Sequence, residues 1–292
     1  MTQPRSPADA PQPFEVYAVR YATVARRAAE NFIGGDPHEA ATRMDYFVWL
    51  ARRPGCTIVI DTGFNEAAAR RRKRDFLRSP LEGLRLLGVD GATVEDVIIT
   101  HLHYDHGSNL DLFPDACVIL QRDELAHAVD PVPTQRLFYF KETTIDLLSR
   151  KRPNKLRLVD GDFQLQKGID VLKVPGHTPG MQVPIVATAR GKVGVVSDLG
   201  DHYRNWYPAN PRATRHPMNY LADSFLPGGI RSESERVYQD SMRRVMNAAD
   251  IVIPSHDTRI PLHVPKEWFD LPPVSQPEPL LIELASRRLE GN

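Results

Sequence analysis

THLHYDHGSN, residues 100 to 109, places histidines at 101, 103 and 106 around an aspartate at 105. The stretch follows directly on the apolar run VIIT, Val97 to Thr100, which reads as a buried strand, so a rigid element delivers the chain straight into His101. In an extended segment alternate side chains point the same way, so His101 and His103 can share one cation, while Asp105 and His106, beyond the turn, can address a second. A lone histidine usually has a surface or capping role, and that is the reading for His127, His216 and His263. Three imidazoles and a carboxylate packed this closely would cost stability without a cation to share. Imidazole nitrogen with carboxylate oxygen suits zinc first and also accepts iron, cobalt or manganese.

Further along the chain, three residues of the same chemistry each follow an apolar run: His177 in VPGHTPG, Asp198 in VGVVSDLG and His256 in IVIPSHD. Ligands at strand ends are held by a rigid scaffold. The other elements fit around them. Strands are predicted over Phe14 to Ala22, Asp45 to Ala51 and Thr57 to Gly63, and again at Val118 to Leu120, IDVLKV, MQVPIVA, KVGVVSD and IVIP. Asn65 to Leu77 reads as a helix capped by Asn65, its basic run a solvated face, and Thr93 with Asp96 resembles a capping box. RDELAHAV (122 to 129) and the stretch Ser232 to Asp250 read as helices. Two packed sheets with helices outside is the layered solution, an α/β architecture.

Composition bounds the function. Lys plus Arg equals Asp plus Glu at 37 each, so no overall field favours nucleic acid or an anionic membrane, and a small, weakly charged substrate fits better. The 292 residues read as a Pro-rich, poorly ordered arm over 1–13, then one domain over 14–292 with an insertion at about 199–230. Cys56 and Cys117 lie in apolar strand-like surroundings and behave as small hydrophobes. No run approaches the roughly 18 apolar residues that span a bilayer, and the N-terminus has no signal-like core, so a cytoplasmic location is expected. The sequence leaves homodimer formation open.

HxHxDH at 101 to 106, IDTG with Asp61, VPGHTPG, Asp198 and His256 together resemble the metallo-β-lactamase superfamily, from about Glu15 to His256. The resemblance implies an αββα sandwich with two metals along one edge. One would be held by His101, His103 and His177, the other by Asp105, His106 and His256. Asp198 would be shared, and Asp61 would orient a ligand histidine. YAVRYATVARRAAENFIGGDPHEAATRMDYFVWLARR, residues 17 to 53, is similar to the N-terminal region of the N-acyl homoserine lactonase family. That implies a quorum-quenching type of activity, opening of a lactone ring by a hydroxide held between the metals, with Asp105 carrying a proton to the departing alkoxide. Enzymes that degrade β-lactams use fewer acidic ligands and often a cysteine, and the nucleases of the superfamily add a large domain. Hydrolysis of another ester, a thioester or an aromatic lactone stays open, and a diiron redox protein is the distant alternative.

One position departs from the lactonase pattern. A tyrosine three residues after the shared aspartate helps bind the lactone carbonyl in those enzymes, and here that position is Asp201. Tyr203 could take over this role or simply pack. The segment from Asp198 to Gly229 is also longer than those lactonases need, and Trp206, Tyr207, Tyr220 and Phe225 are expected to wall a substrate pocket.

Overall fold

The computed structural model describes residues 12–27, 41–151, 153–206, 225–226 and 228–258. Tyr207, Tyr220, His216, His263, nearly all of the N-terminal arm and most of the long segment after Asp198 lie outside them. Among the described residues one sheet contains β1 (Glu15–Arg27), β2 (Ala41–Arg53), β3 (Cys56–Ile60), β4 (Asp75–Phe76), β5 (Asp96–Ile98), β6 (Cys117–Gln121) and β7 (Leu156–Val159), in the order β4-β1-β2-β3-β5-β6-β7. The other contains β8 (Phe163–Gln166), β9 (Ile169–Lys173), β10 (Gln182–Thr188), β11 (Gly191–Ser197) and β12 (Ile251–Pro254), in the order β12-β11-β10-β9-β8. Both sheets are mixed: β3, β5, β6 and β7 run parallel to one another, as do β11 and β12, and the remaining pairs are antiparallel.

Strand periodicity explains the layers. Along β1, Val16 and Ala18 turn into a core shared with Ile169, Val171, Val186 and Val193 of the second sheet. Tyr17, Val19 and Tyr21, on the opposite face, pack outward with Ala68, Leu84, Leu125 and Leu147. Those four come from α1 (Glu66–Arg72), α2 (Pro80–Leu86), α4 (Arg122–Val129) and α5 (Lys141–Arg150), separated in the chain by the one-turn α3 (Tyr104–Gly107). On the far side, Val183, Ile185 and Val196 meet Tyr238, Met242 and Val245 of α7 (Glu235–Ala248), which follows the short α6 (Tyr203–Trp206). Helices, two sheets and helices again make the αββα sandwich.

Three local readings are corrected. The helix expected over Asn65 to Leu77 begins as read, Asn65 accepting the Ala68 N–H, but ends at Arg72. Lys73 turns left-handed at φ 56°, and Asp75–Phe76 then pair with β1. Its basic run is not simply solvated, because the Arg72 guanidinium lies 3.8 Å from the centre of the Tyr104 ring and Arg71 lies 4.5 Å from that of Phe140. Thr93 and Asp96 form no capping box. Asp90 caps that turn through the Ala92 N–H, and Asp96 opens β5, since the apolar pairing of Val97 and Ile98 with β3 outweighs one cap. A true capping box stands at Ser79 and Glu82, ahead of α2.

Candidate metal centre

Asp61, Thr100, Asp198 and Ser255 are the residues that follow, or nearly follow, the ends of β3, β5, β11 and β12, and these ends lie at one edge of the sandwich. His101 and His103 continue from β5, with His103 at the N-cap of α3, so Asp105 and His106 fall inside that one-turn helix. His177 lies between β9 and β10, and His256 lies just after β12. All seven predicted ligands are brought together and buried. His101, His103, His177 and Asp198 form one group, and Asp105, His106, Asp198 and His256 the other, with the ligand atoms of each within 4.8 Å of one another.

Asp198 belongs to both groups because its two oxygens diverge. Oδ1 lies 3.2 Å from the Nε2 atoms of His106 and His256. Oδ2 faces His177 Nε2 at 3.4 Å and His101 Nε2 at 3.9 Å. The Ser255 hydroxyl donates to Oδ1 and helps fix the carboxylate. Burial opposes ionisation of Asp198, but the facing charges of His106 and His256 outweigh it and hold the carboxyl well below the ordinary carboxylate range.

The outer nitrogens show which way the rings present their lone pairs. A backbone carbonyl only accepts, so His177 donates Nδ1–H to Ile230 O (3.0 Å) and His256 donates Nδ1–H to Asp45 O (2.8 Å), leaving each Nε2 directed inward. His106 Nδ1 donates to the Asp61 carboxylate at 2.8 Å. Asp61 is fully buried in a left-handed conformation (φ 61°) and also accepts from the Thr100 N–H and hydroxyl, so it ties the end of β3 to the loop that carries the histidines. Inside the cluster, the Nε2 atoms of His101 and His106 are buried and, among the described residues, meet nothing but the Asp198 carboxylate and neighbouring rings, and His103 turns Nδ1 to within 3.0 Å of His177 Nε2. Buried polar nitrogens without partners, converging on a carboxylate, fit a cation.

The electrostatics differ between the groups. Burial, followed by the neighbouring imidazoles, holds His101 well below the ordinary histidine value, and His103 and His177 are lowered as well, with burial again the first cause. For His106 burial works the same way, but Asp198, Asp61 and Asp105 overcome it and raise the group well above the ordinary value. His256 is raised too, against its burial, first by Asp198.

The substrate-side expectations meet a different structure. Trp206 does not stand at an entrance: its ring is buried with Tyr238, Met242 and Leu199, and its Nε1–H donates to Gly200 O at 3.0 Å. α6 folds back onto the outer face of the second sheet, where a large apolar ring gains more from burial than from solvent. Phe225 packs edge-on against it, ring centres 5.9 Å apart. Tyr203 is buried, and its backbone N–H donates to the Asp257 carboxylate at 2.9 Å. Asp201, at the position of the lactonase tyrosine, has its carboxyl pushed up to about 7 by burial and then by the charge of Asp198. Tyr46 of β2 stands 4.9 Å, centre to centre, from the His256 ring, and two further aromatic neighbours of the cluster come from a stretch not singled out in the sequence. Phe138 and Tyr139 lie 5.0 and 4.9 Å, centre to centre, from the His103 ring. No helix among the described residues is long and apolar enough to cross a membrane.

Comparison with known proteins agrees with this fold. The N-acyl homoserine lactonase AiiA of Bacillus thuringiensis subsp. kurstaki is 28% identical over 135 residues, 46% of this chain and 50% of that protein, so the match spans about half the length of that relative. Metallo-beta-lactamase domain-containing protein 1 of Xenopus laevis is 28% identical over 225 residues, 77% of this chain and 74% of that protein. Among solved structures, a quorum-quenching N-acyl homoserine lactone lactonase superposes with a TM-score of 0.63 at 19% identity, covering 86% of this chain and 94% of that one. AidC, a dizinc quorum-quenching lactonase, superposes with a TM-score of 0.60 at 18% identity, covering 85% and 89%. Residues 41–256 match the family model of the metallo-beta-lactamase superfamily, the stretch that runs from β2 to the last of the clustered histidines, and the chain belongs to that superfamily.

Proposed function

We propose that this chain is a dinuclear-metal hydrolase that opens the ring of an N-acyl homoserine lactone or a related lactone. The observation that carries the reading is the divergence of the two Asp198 oxygens toward two separate groups of imidazoles. His101, His103 and His177 would hold one divalent cation and Asp105, His106 and His256 the other, with Asp198 shared and zinc the first candidate. Two such cations supply Lewis acidity and lower the pKa of water toward neutrality. The residues do the rest. Asp61 fixes the ring of His106 through its 2.8 Å hydrogen bond. Asp105, on a one-turn helix with its carboxylate 3.7 Å from His256 Nε2, would take up a proton and return it to a departing alkoxide. With Trp206 in the core, an apolar substrate chain would rest on half-buried Phe138, beside His103.

The names of the relatives favour a lactone, while a thioester or an open-chain ester would suit the same cluster. A hydrolysis screen of the zinc-loaded protein against acyl homoserine lactones of several chain lengths, aliphatic and aromatic lactones, and an aryl thioester separates these substrates. Lactones should be opened with the highest kcat/KM. A protein that cleaves the thioester and leaves every lactone intact would overturn the lactone reading and keep the hydrolytic one.

A further inference from the structure

Glu124 is fully buried on α4, outside both groups of candidate ligands, yet its carboxylate touches each segment that carries a histidine of the first group. Oε1 accepts the backbone N–H of Leu102 at 2.9 Å and the Tyr139 hydroxyl at 3.1 Å. Oε2 accepts the Thr178 hydroxyl at 2.6 Å and the Gly180 N–H at 3.2 Å. Leu102 lies between His101 and His103, Thr178 follows His177, and Tyr139 pairs with His103 in a bridge with its ring 4.9 Å away. Four donors occupy the acceptor sites of one carboxylate, which is how a buried charge becomes tolerable. The approach is close enough that a Cβ at residue 180 would stand 2.1 Å from the Glu124 nitrogen, so glycine is required there.

We propose that Glu124 is a positioning residue for the cation at His101, His103 and His177: one carboxylate clamps the HLH segment to the HTPG turn and sets the spacing of the three imidazoles. The proposal rests on the dinuclear reading of the site. Its logic is that of an outer partner which orients ligands. Gln135 links the same two segments, donating Nε2–H to His177 O at 3.1 Å and bonding the His103 side chain, but Glu124 holds them at three points, the Leu102 N–H, the Thr178 hydroxyl and the Gly180 N–H. Loss of such a partner costs about 10–100-fold in metal affinity.

The distinction to be tested is between setting ligand geometry and merely holding the fold. Metal-free wild type and the variants Glu124→Ala, Glu124→Gln and Thr178→Val are titrated with zinc against a chromogenic chelator, and each is melted with and without zinc. Wild type should bind two ions. Glu124→Ala should bind one of them about 10–100-fold more weakly, and zinc should raise its Tm less than it raises that of wild type. Glu124→Gln retains one oxygen and should lie between, because the Thr178 hydroxyl can rotate to accept from the amide while Gly180 N–H or Leu102 N–H loses its acceptor. Thr178→Val should show a smaller loss in the same direction. If Glu124→Ala does not fold, the other two variants decide. Variants that melt lower without metal but match wild type in zinc affinity and in the zinc-induced rise of Tm would overturn the proposal alone. Wild type that binds no zinc would overturn the dinuclear reading and the proposal with it.

Discussion

His101 and His177 present their outer nitrogens to a hydroxyl and a backbone carbonyl, and His103 bonds the Gln135 side chain, whereas His106 and His256 stand among Asp61, Asp105 and Asp198. Burial shifts the imidazoles of the first group toward the neutral form, and the carboxylates, above all Asp198, shift those of the second toward the protonated form. A metal ligand must be a neutral imidazole, so the first group is prepared for a cation in advance, while a cation in the second must displace protons. Asp198 belongs to both groups, and on the dinuclear reading the contrast predicts that two ions would bind in distinct steps.

The largest effect should come from removing the shared group. Asp198→Asn weakens the attraction for both cations and leaves them facing each other without the charge that separates them. Metal content should fall from two ions to one or none and kcat/KM by on the order of 10³ or more, a deeper loss than for His256→Ala. Metal analysis and kinetics of the two variants side by side provide the check, and equal losses would break the picture of two groups joined at one carboxylate.

Asp61→Asn tests one side of the contrast. The amide cannot match the charged acceptor that holds His106 Nδ1, so the second group should lose about 10–100-fold in affinity while the ion at His101, His103 and His177 stays bound. Equal weakening of both ions would show that Asp61 acts through the fold.

A smaller and more graded effect should follow pH. The raised His106 contributes ion-pair stability to the metal-free protein that is complete below the ordinary histidine value and is lost as pH rises through its raised folded value. Zinc binding there competes with that proton. Between about pH 8 and about pH 6, one ion should therefore weaken more steeply than the other, and calorimetry in buffers of different ionisation heat should find proton release accompanying that ion. Parallel pH slopes for both would remove the electrostatic difference. Phe138→Ala should have the smallest effect, a severalfold change in the kcat/KM ratio of long-chain to short-chain lactones at constant metal content, about 1–3 kcal/mol being available per apolar group. Trp206→Ala, by contrast, should lower stability by about 3–5 kcal/mol through the cavity it leaves, without changing that ratio.

The layered fold and the seven clustered candidate ligands were legible in the sequence because the necessary signals are local. Apolar runs report strands, and residues that follow a run inherit the position of its end, as His101 follows Val97 to Thr100 and Asp198 follows β11. Spacing alone placed Asp105 beside a second cation, whereas the sharing by Asp198 and the orienting role of Asp61 came from the family resemblance. What no local signal carried was direction and partnership across the sandwich. His256 donates to the carbonyl of Asp45, 211 residues away, and Glu124 gathers donors from Leu102, Tyr139, Thr178 and Gly180 that become neighbours only when α4 packs beside the loops. Trp206 looked like a pocket wall because aromatic residues in a long loop carry no periodicity to show which face they cover, and only the packing of α6 on the second sheet turned it inward. Sequence alone determined which chemical groups arrive at the edge of the sandwich. Tertiary structure decided which oxygen of Asp198 faces which imidazoles, because the divergence of two atoms on one side chain depends on where four separate strand ends place their neighbours.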